Sequence, residues 1–242
     1  PESGCEWGCF DYSQQEPRLV VHYASLDQDT SVFNVKDSYV NADADFHTIV
    51  AKMADIPREQ AKTINLGLFY GMGKAKLQAE LGVSKDKAEE LFSVYHERVP
   101  FVKRLMRSVS NRAQQRGQIR TLLGRLCRFH LWEPNRFGIN KALPFNEAIL
   151  EHGQGNIRRA YTYKALNKLI QGSAADMTKK SMLELYKEGI IAHIQIHDEL
   201  DISVESDKKA KRIIEIMEAA VDLEVPNKVD YESGKTWGDI YD

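Results

Sequence analysis

The sequence predicts an α+β fold, helices packed on a small antiparallel sheet, and three observations carry that expectation. Ile190, Ala192, Ile194 and Ile196 alternate with smaller or polar partners up to His197-Asp198, and Leu200, Ile202 and Val204 continue the alternation on the return. That pattern is a strand, a tight turn and a second strand, with Asp198 and Glu199 at the bend. A second strand-like run, residues 7–10, ends on Asp11, and the segments between the two sites are mostly helical in period.

Taken in order, Ser13-Gln14-Gln15-Glu16 has the spacing of a capping box, so a helix is expected through about Ala24, with Pro17 tolerated in its first turn. Residues 26–45 are rich in Asp, Ser and Asn and read as mostly loop. A short helix is expected from Asp45 to about Ala54, and Pro57 opens the next, over residues 58–70. There Arg58, Lys62, Leu66 and Tyr70 recur every four residues and share one side of the helix, which Gly71 and Gly73 end. Ser84 begins a long helical pattern, bent at Pro100 and running to about Gln115. Residues 118–131 read as a basic hairpin around Gly124, and residues 132–155 show no clean period. Residues 156–187 read as one helix with the small patch Gly172-Ser173-Ala174-Ala175 in its middle, where a backbone or ligand could approach closely. Residues 206–221 form an amphipathic helix, and a strand follows in the tail.

With 242 residues and 43% hydrophobic content the chain can bury a substantial core. No apolar stretch approaches the ~20 residues of a membrane span, so a soluble, cytoplasmic protein is expected. Cys5, Cys9 and Cys127 are odd in number and lack paired C-x-x-C spacing, which argues against a disulfide framework or a structural zinc site. The net charge is only −2, yet residues 98–128 hold nine basic residues and no acid. A solvated helix face normally intersperses Glu and Asp; a nucleic-acid backbone accounts better for their absence.

Asp11 and Asp198 are the candidate metal ligands. Hard ions such as Mg²⁺ take oxygen ligands and are commonly held by one or two carboxylates plus substrate phosphates. Two such ions can activate an attacking oxygen and stabilise a leaving pyrophosphate, so the expected chemistry is nucleotidyl transfer. Lys62 and Arg58 would meet a triphosphate, one as a point charge and one as a fork. His197 reads as a hydrogen-bonding residue at a primer end, His47 is ambiguous on spacing alone, and Tyr12 is expected to offer its backbone carbonyl rather than its phenol near the metal.

These residues carry a resemblance. Asp11-Tyr12-Ser13-Gln14-Gln15-Glu16-Pro17-Arg18 resembles motif A of the family A DNA polymerases, DYSQIELR. The Arg58, Lys62, Leu66, Tyr70-Gly71 series resembles their motif B, and Gln195-Ile196-His197-Asp198-Glu199 their motif C. Gln171 to Asp176 is similar to the family's QGTAAD helix, and residues 117–128 to its G-x-x-x-T-x-x-GRRR stretch. The resemblance implies template-directed addition of deoxynucleoside triphosphates to a primer 3′-hydroxyl, with a DNA primer-template as partner and two Mg²⁺ ions as cofactor. It implies a right-hand polymerase core: palm over residues 1–44 and 116–242, fingers over residues 45–115. Asp11, Asp198 and the Tyr12 carbonyl would hold the metals; Glu16 would sit under the sugar and reject a 2′-hydroxyl. Gln14, His47, Arg58, Lys62, Leu66 and Tyr70 would surround the nucleotide, and Arg120, Arg125, Gln171, Gln195 and His197 would touch DNA.

Leu66 stands where the motif has an aromatic residue, Pro17 where it has Leu and Gln15 where it has Ile, departures that suggest a phage or viral type. The chain opens on Pro1, so it is expected to be a fragment, its thumb and exonuclease regions lying elsewhere. A single-subunit RNA polymerase would share the Asp, Lys and His-Asp elements but lack Glu16. A non-catalytic DNA-binding module would need only the basic run.

Overall fold

The computed structural model describes residues 1–42, 45–69, 72–136, 138 and 140–240. In chain order the elements are β1 (Glu6–Tyr12), α1 (Gln15–Leu26), α2 (Phe33–Ala42), α3 (Phe46–Ala54), α4 (Arg58–Phe69), α5 (Lys74–Leu81), α6 (Lys85–Arg98) and α7 (Pro100–Arg116). Then come β2 (Gln118–Arg120), β3 (Leu126–Arg128), β4 (Leu131–Pro134), β5 (Leu143–Pro144), α8 (Phe145–His152), β6 (Ile157–Arg159) and α9 (Ala165–Lys187). The chain closes with β7 (Ile194–Ile196), β8 (Glu199–Val204), α10 (Asp207–Glu218) and β9 (Val229–Gly234). Helices and small antiparallel sheets make it α+β, as the sequence predicts. By packing it divides into two units, residues 1–46 with 173–242, and residues 47–172.

The first unit is built on a four-stranded antiparallel sheet of order β7-β8-β1-β9. Alternation sends Phe10, Tyr12, Leu200 and Ile202 to one face, where all four are buried. Gly8 belongs to that face because nothing larger fits: a Cβ there would lie 2.7 Å from Val204 Cγ2. The Tyr12 hydroxyl sits deep in this core, 2.6 Å from Ser181 Oγ of α9, and donates to the Met217 carbonyl of α10. Burial pushes the phenol up to about 12. Helix α10 forms because Ser206 caps it, its side chain accepting from the Lys209 amide at 3.3 Å, and because Ala210, Ile213 and Met217 line one buried stripe. Arg18 is buried with acceptors at hand: its Nε donates to the Ser13 carbonyl at 2.9 Å, an Nη to the Pro226 carbonyl at 2.6 Å, and its guanidinium lies 4.6 Å from the Tyr39 ring centre.

The second unit is mainly helical. Ser84 caps α6 through the Lys87 amide, and Pro100 occupies the first turn of α7. Gly117 ends α7 at φ 70°, and a Cβ there would lie 2.7 Å from the Arg159 guanidinium. Arg159 ties this region together, donating to the Gln114 and Phe129 carbonyls at 3.2 and 2.9 Å and stacking 4.5 Å from the Trp132 ring centre.

Four local expectations are corrected. The capping box does not form: Gln14, at φ 54°, precedes the helix without a side-chain cap, and the Ser13 amide is drawn to the Lys228 carbonyl instead. Residues 26–45 are not mostly loop, because burial of Val35 and Tyr39 on one side outweighs the polar composition and makes α2. The long helix begins at Ala165 rather than near residue 156, since residues 157–159 are claimed as a strand by β4. Residues 132–155, without a clean period in the sequence, contain β5 and α8.

Candidate active site

The sheet delivers the acids. Asp11 is in register with Glu199 of β8 on one side and Asp230 of β9 on the other. Paired residues of antiparallel strands direct their side chains to the same face, so three carboxylates form a row across the sheet opposite the apolar core. Asp198 precedes Glu199 in the two-residue turn joining β7 to β8, whose flanking residues Ile196 and Glu199 are paired. His197 opens that turn at φ 53°, the left-handed conformation a two-residue hairpin requires and a non-glycine adopts at a cost of ~1–2 kcal/mol. Gln195 braces the turn from within, its Nε2 donating to the His197 carbonyl at 2.7 Å. Both Gln195 and His197 are exposed.

Electrostatics mark this row as a site. Burial first, and then the charges of Asp198, Glu199 and Asp230, push the Asp11 carboxyl up to about 7. Burial likewise raises Asp198, against the opposing effect of its hydrogen bonding and of His197. Every charged neighbour that acts on Asp11 in this way is a carboxylate. Crowded carboxylate oxygens whose charges raise one another are the donor set that suits Mg²⁺, so Asp11 and Asp198 fit the metal the sequence implies. Glu16 lies in the first turn of α1, half-buried. The Gln14 side-chain oxygen accepts from the Phe46 amide at 2.7 Å and the Tyr39 hydroxyl at 3.1 Å.

In the second unit, α4 buries Ala61, Ile64, Asn65 and Phe69 and leaves Arg58 and Lys62 exposed one turn apart. Leu66, half-buried, lines a cavity of about 410 Å³ together with Thr63, Gly67, Met72 and Lys76. Tyr70 lies outside the described residues. His47 is buried, its Nδ1 3.0 Å from Asn65 Nδ2, a link between α3 and α4. Arg120 and Arg125 are exposed on the β2–β3 hairpin; Arg125 donates to the Gly172 carbonyl at 2.7 Å, beside exposed Gln171.

A family model described as DNA polymerase family A matches residues 1–239. The chain belongs to DNA polymerase family A. A DNA-directed DNA polymerase of Pseudomonas phage M6 is 35% identical over 98% of this chain and 39% of its own length. DNA polymerase I of Bacillus caldotenax is 34% identical over 98% of the chain and 26% of its own. Among solved structures, the polymerase domain of Pol1 from M. smegmatis, in complex with DNA primer-template and dNTP, superposes with a TM-score of 0.76 at 26% identity, covering 99% of this chain and 41% of that one. The chain thus spans less than half the length of these family A relatives. No helix among the described residues is long and apolar enough to cross a membrane.

Three side chains near Asp11 escape motif reading. Asp230 and Asp201 reach the acidic face only through the pairing of β9 and β8 with β1. Their period-two spacing from Glu199 and Glu232 was the available signal, but it does not tell which face a strand turns inward. Cys9, opposite Asp201 in the register, is the third side chain brought there by pairing alone.

Proposed function

We propose that this chain is the catalytic core of a DNA-directed DNA polymerase, adding deoxynucleotides to a primer 3′-hydroxyl during DNA replication. The observation that carries the reading is the convergence of Asp11 and Asp198, from a strand end and a hairpin turn, in surroundings whose charges repel unless a cation joins them. Two bound Mg²⁺ ions would supply activation of the primer hydroxyl and neutralisation of the departing pyrophosphate. Asp11, Asp198 and the Tyr12 carbonyl would hold them. Lys62 and Arg58 neutralise the triphosphate, Gln14 and His47 serve in nucleotide binding, Glu16 closes the space beneath the sugar, and Leu66 and Tyr70 border the nascent base pair. Gln171, Gln195 and His197 contact primer or template; Arg120 and Arg125 with the rest of the basic run follow the duplex backbone.

In this reading residues 1–44 and 116–242 serve as palm and residues 45–115 as fingers, a functional division distinct from the packing units. The site of action is where DNA is, in the cytoplasm of a bacterial or host cell; thumb and exonuclease functions would come from other polymerase segments or replication proteins. Primer extension with Mg²⁺ tests the whole: deoxynucleotides are added, EDTA stops the addition, and Glu16→Ala raises ribonucleotide use by ~10-fold or more. Preference of the unsubstituted chain for ribonucleotides, or no addition by a folded chain that binds the primer-template, would overturn it.

A further inference from the structure

One residue pair farther along the same sheet face, the register sets Cys9 of β1 opposite Asp201 of β8, two residues beyond Glu199. The Cys9 sulfur and one carboxylate oxygen each from Glu199 and Asp201 lie within 4.8 Å of one another. Asp201 is 0% exposed. Its Oδ2 accepts from the Trp237 indole Nε1 at 2.9 Å, while its Oδ1 is buried with no donor in full hydrogen-bond geometry, and the carboxylate interacts with the Cys9 thiol and the Glu199 carboxyl beside it. A buried carboxylate oxygen left without a donor is costly, by ~1–3 kcal/mol or more. It belongs to a cluster whose other members offer a sulfur and another carboxylate, and a cation held among them would supply that oxygen with a partner. Glu199, the member with appreciable exposure, provides the approach from solvent.

We propose that Cys9, Glu199 and Asp201 form a site for a borderline-to-soft divalent cation of the zinc class, separate from the Asp11–Asp198 pair. Zn²⁺ takes a cysteine sulfur at ~2.3 Å and carboxylate oxygens at ~2.0–2.2 Å, commonly with three protein ligands and an open fourth position. Donors around such an ion sit roughly 3.5 Å apart, a contraction that side-chain rotation supplies. Binding releases the thiol proton to water. The thiolate selects against Mg²⁺, which is satisfied by oxygen ligands and retained waters. Chain spacing gives no hint of this site, because its ligands come from two strands and meet only through their register. Glu199 is also one of the charges that raise Asp11, so a cation held here lowers the negative potential at the neighbouring acids.

The test reads the metal rather than nucleotide addition, so it succeeds or fails independently of the proposed activity. In a Cys5→Ser, Cys127→Ser variant Cys9 is the remaining thiol. Titrating it with Cd²⁺ in excess Mg²⁺ should produce the ultraviolet thiolate-to-cadmium charge-transfer band, saturating at one ion per chain. Zn²⁺ should compete the band away, Asp201→Asn should weaken binding by ~10-fold or more, and further substitution of Cys9→Ser should abolish it. Absence of the band in the folded variant, its removal by Mg²⁺, or unchanged affinity in a folded Asp201→Asn variant would each overturn the proposal.

Discussion

Replacing Asp11 with Asn should remove activity and yet stabilise the metal-free protein. The carboxyl rises from 3.8 to about 7 in the folded chain, chiefly through burial and then through Asp198. That interval corresponds to ~4 kcal/mol of preference for the protonated form. Asp11 is only half-buried, and discounting for solvent screening leaves ~2 kcal/mol. The sign follows from proton counting: between those two values the folded state holds a proton that the unfolded chain has released. Stability therefore falls as pH rises through this window, and the full penalty is present above it. Asn carries no such charge. Thermal unfolding in EDTA at about pH 8 should place Asp11→Asn ~4–8 °C above the unsubstituted protein, and the gap should close as pH falls toward 3.8. Adding Mg²⁺ should raise the melting point of the unsubstituted protein and erase most of the variant's advantage. A variant that melts lower at alkaline pH, or whose advantage does not change with pH, would refute the reasoning.

Other outcomes follow from individual contacts. Leu66→Phe should speed nucleotide incorporation and change discrimination against dideoxynucleotides, since an aromatic side chain can stack where Leu cannot; unchanged single-turnover kinetics would contradict this. Tyr12→Phe removes the buried hydroxyl between Ser181 and the Met217 carbonyl and should cost ~1–3 kcal/mol in urea unfolding. Gly172→Ala would place a Cβ 2.6 Å from Thr121 Cγ2, so a loss of ~1–3 kcal/mol is expected, relieved by a second substitution, Thr121→Ser.

What the sequence made legible, and what it did not, has a physical pattern. The hairpin around His197-Asp198 was readable because alternation of Ile194, Ile196, Leu200 and Ile202 is a local signal, and its turn is only two residues long. The exposed cations of α4 were readable from a four-residue repeat. Helix α2 was not, because its polar composition favours loop and only tertiary burial of Val35 and Tyr39 makes it helical. Cap chemistry failed at Ser13 for a similar reason: a backbone acceptor 215 residues away, Lys228, claimed its amide. The motifs identified Asp11 and Asp198 separately, but the crowding that raises Asp11, and the placement of Cys9 beside Asp201, depend on which strands pair and in what register. Register between strands separated by most of the chain is not written in any local window.

The most direct check is a count of ions. With a chain-terminated primer-template and the matching nucleotide bound, Mn²⁺ should be titrated under electron paramagnetic resonance, which reads the free ion. The unsubstituted protein should hold two more ions than an Asp11→Asn, Asp198→Asn variant that still binds the DNA. Equal counts in the two proteins would contradict the assignment of these acids as the metal-holding pair.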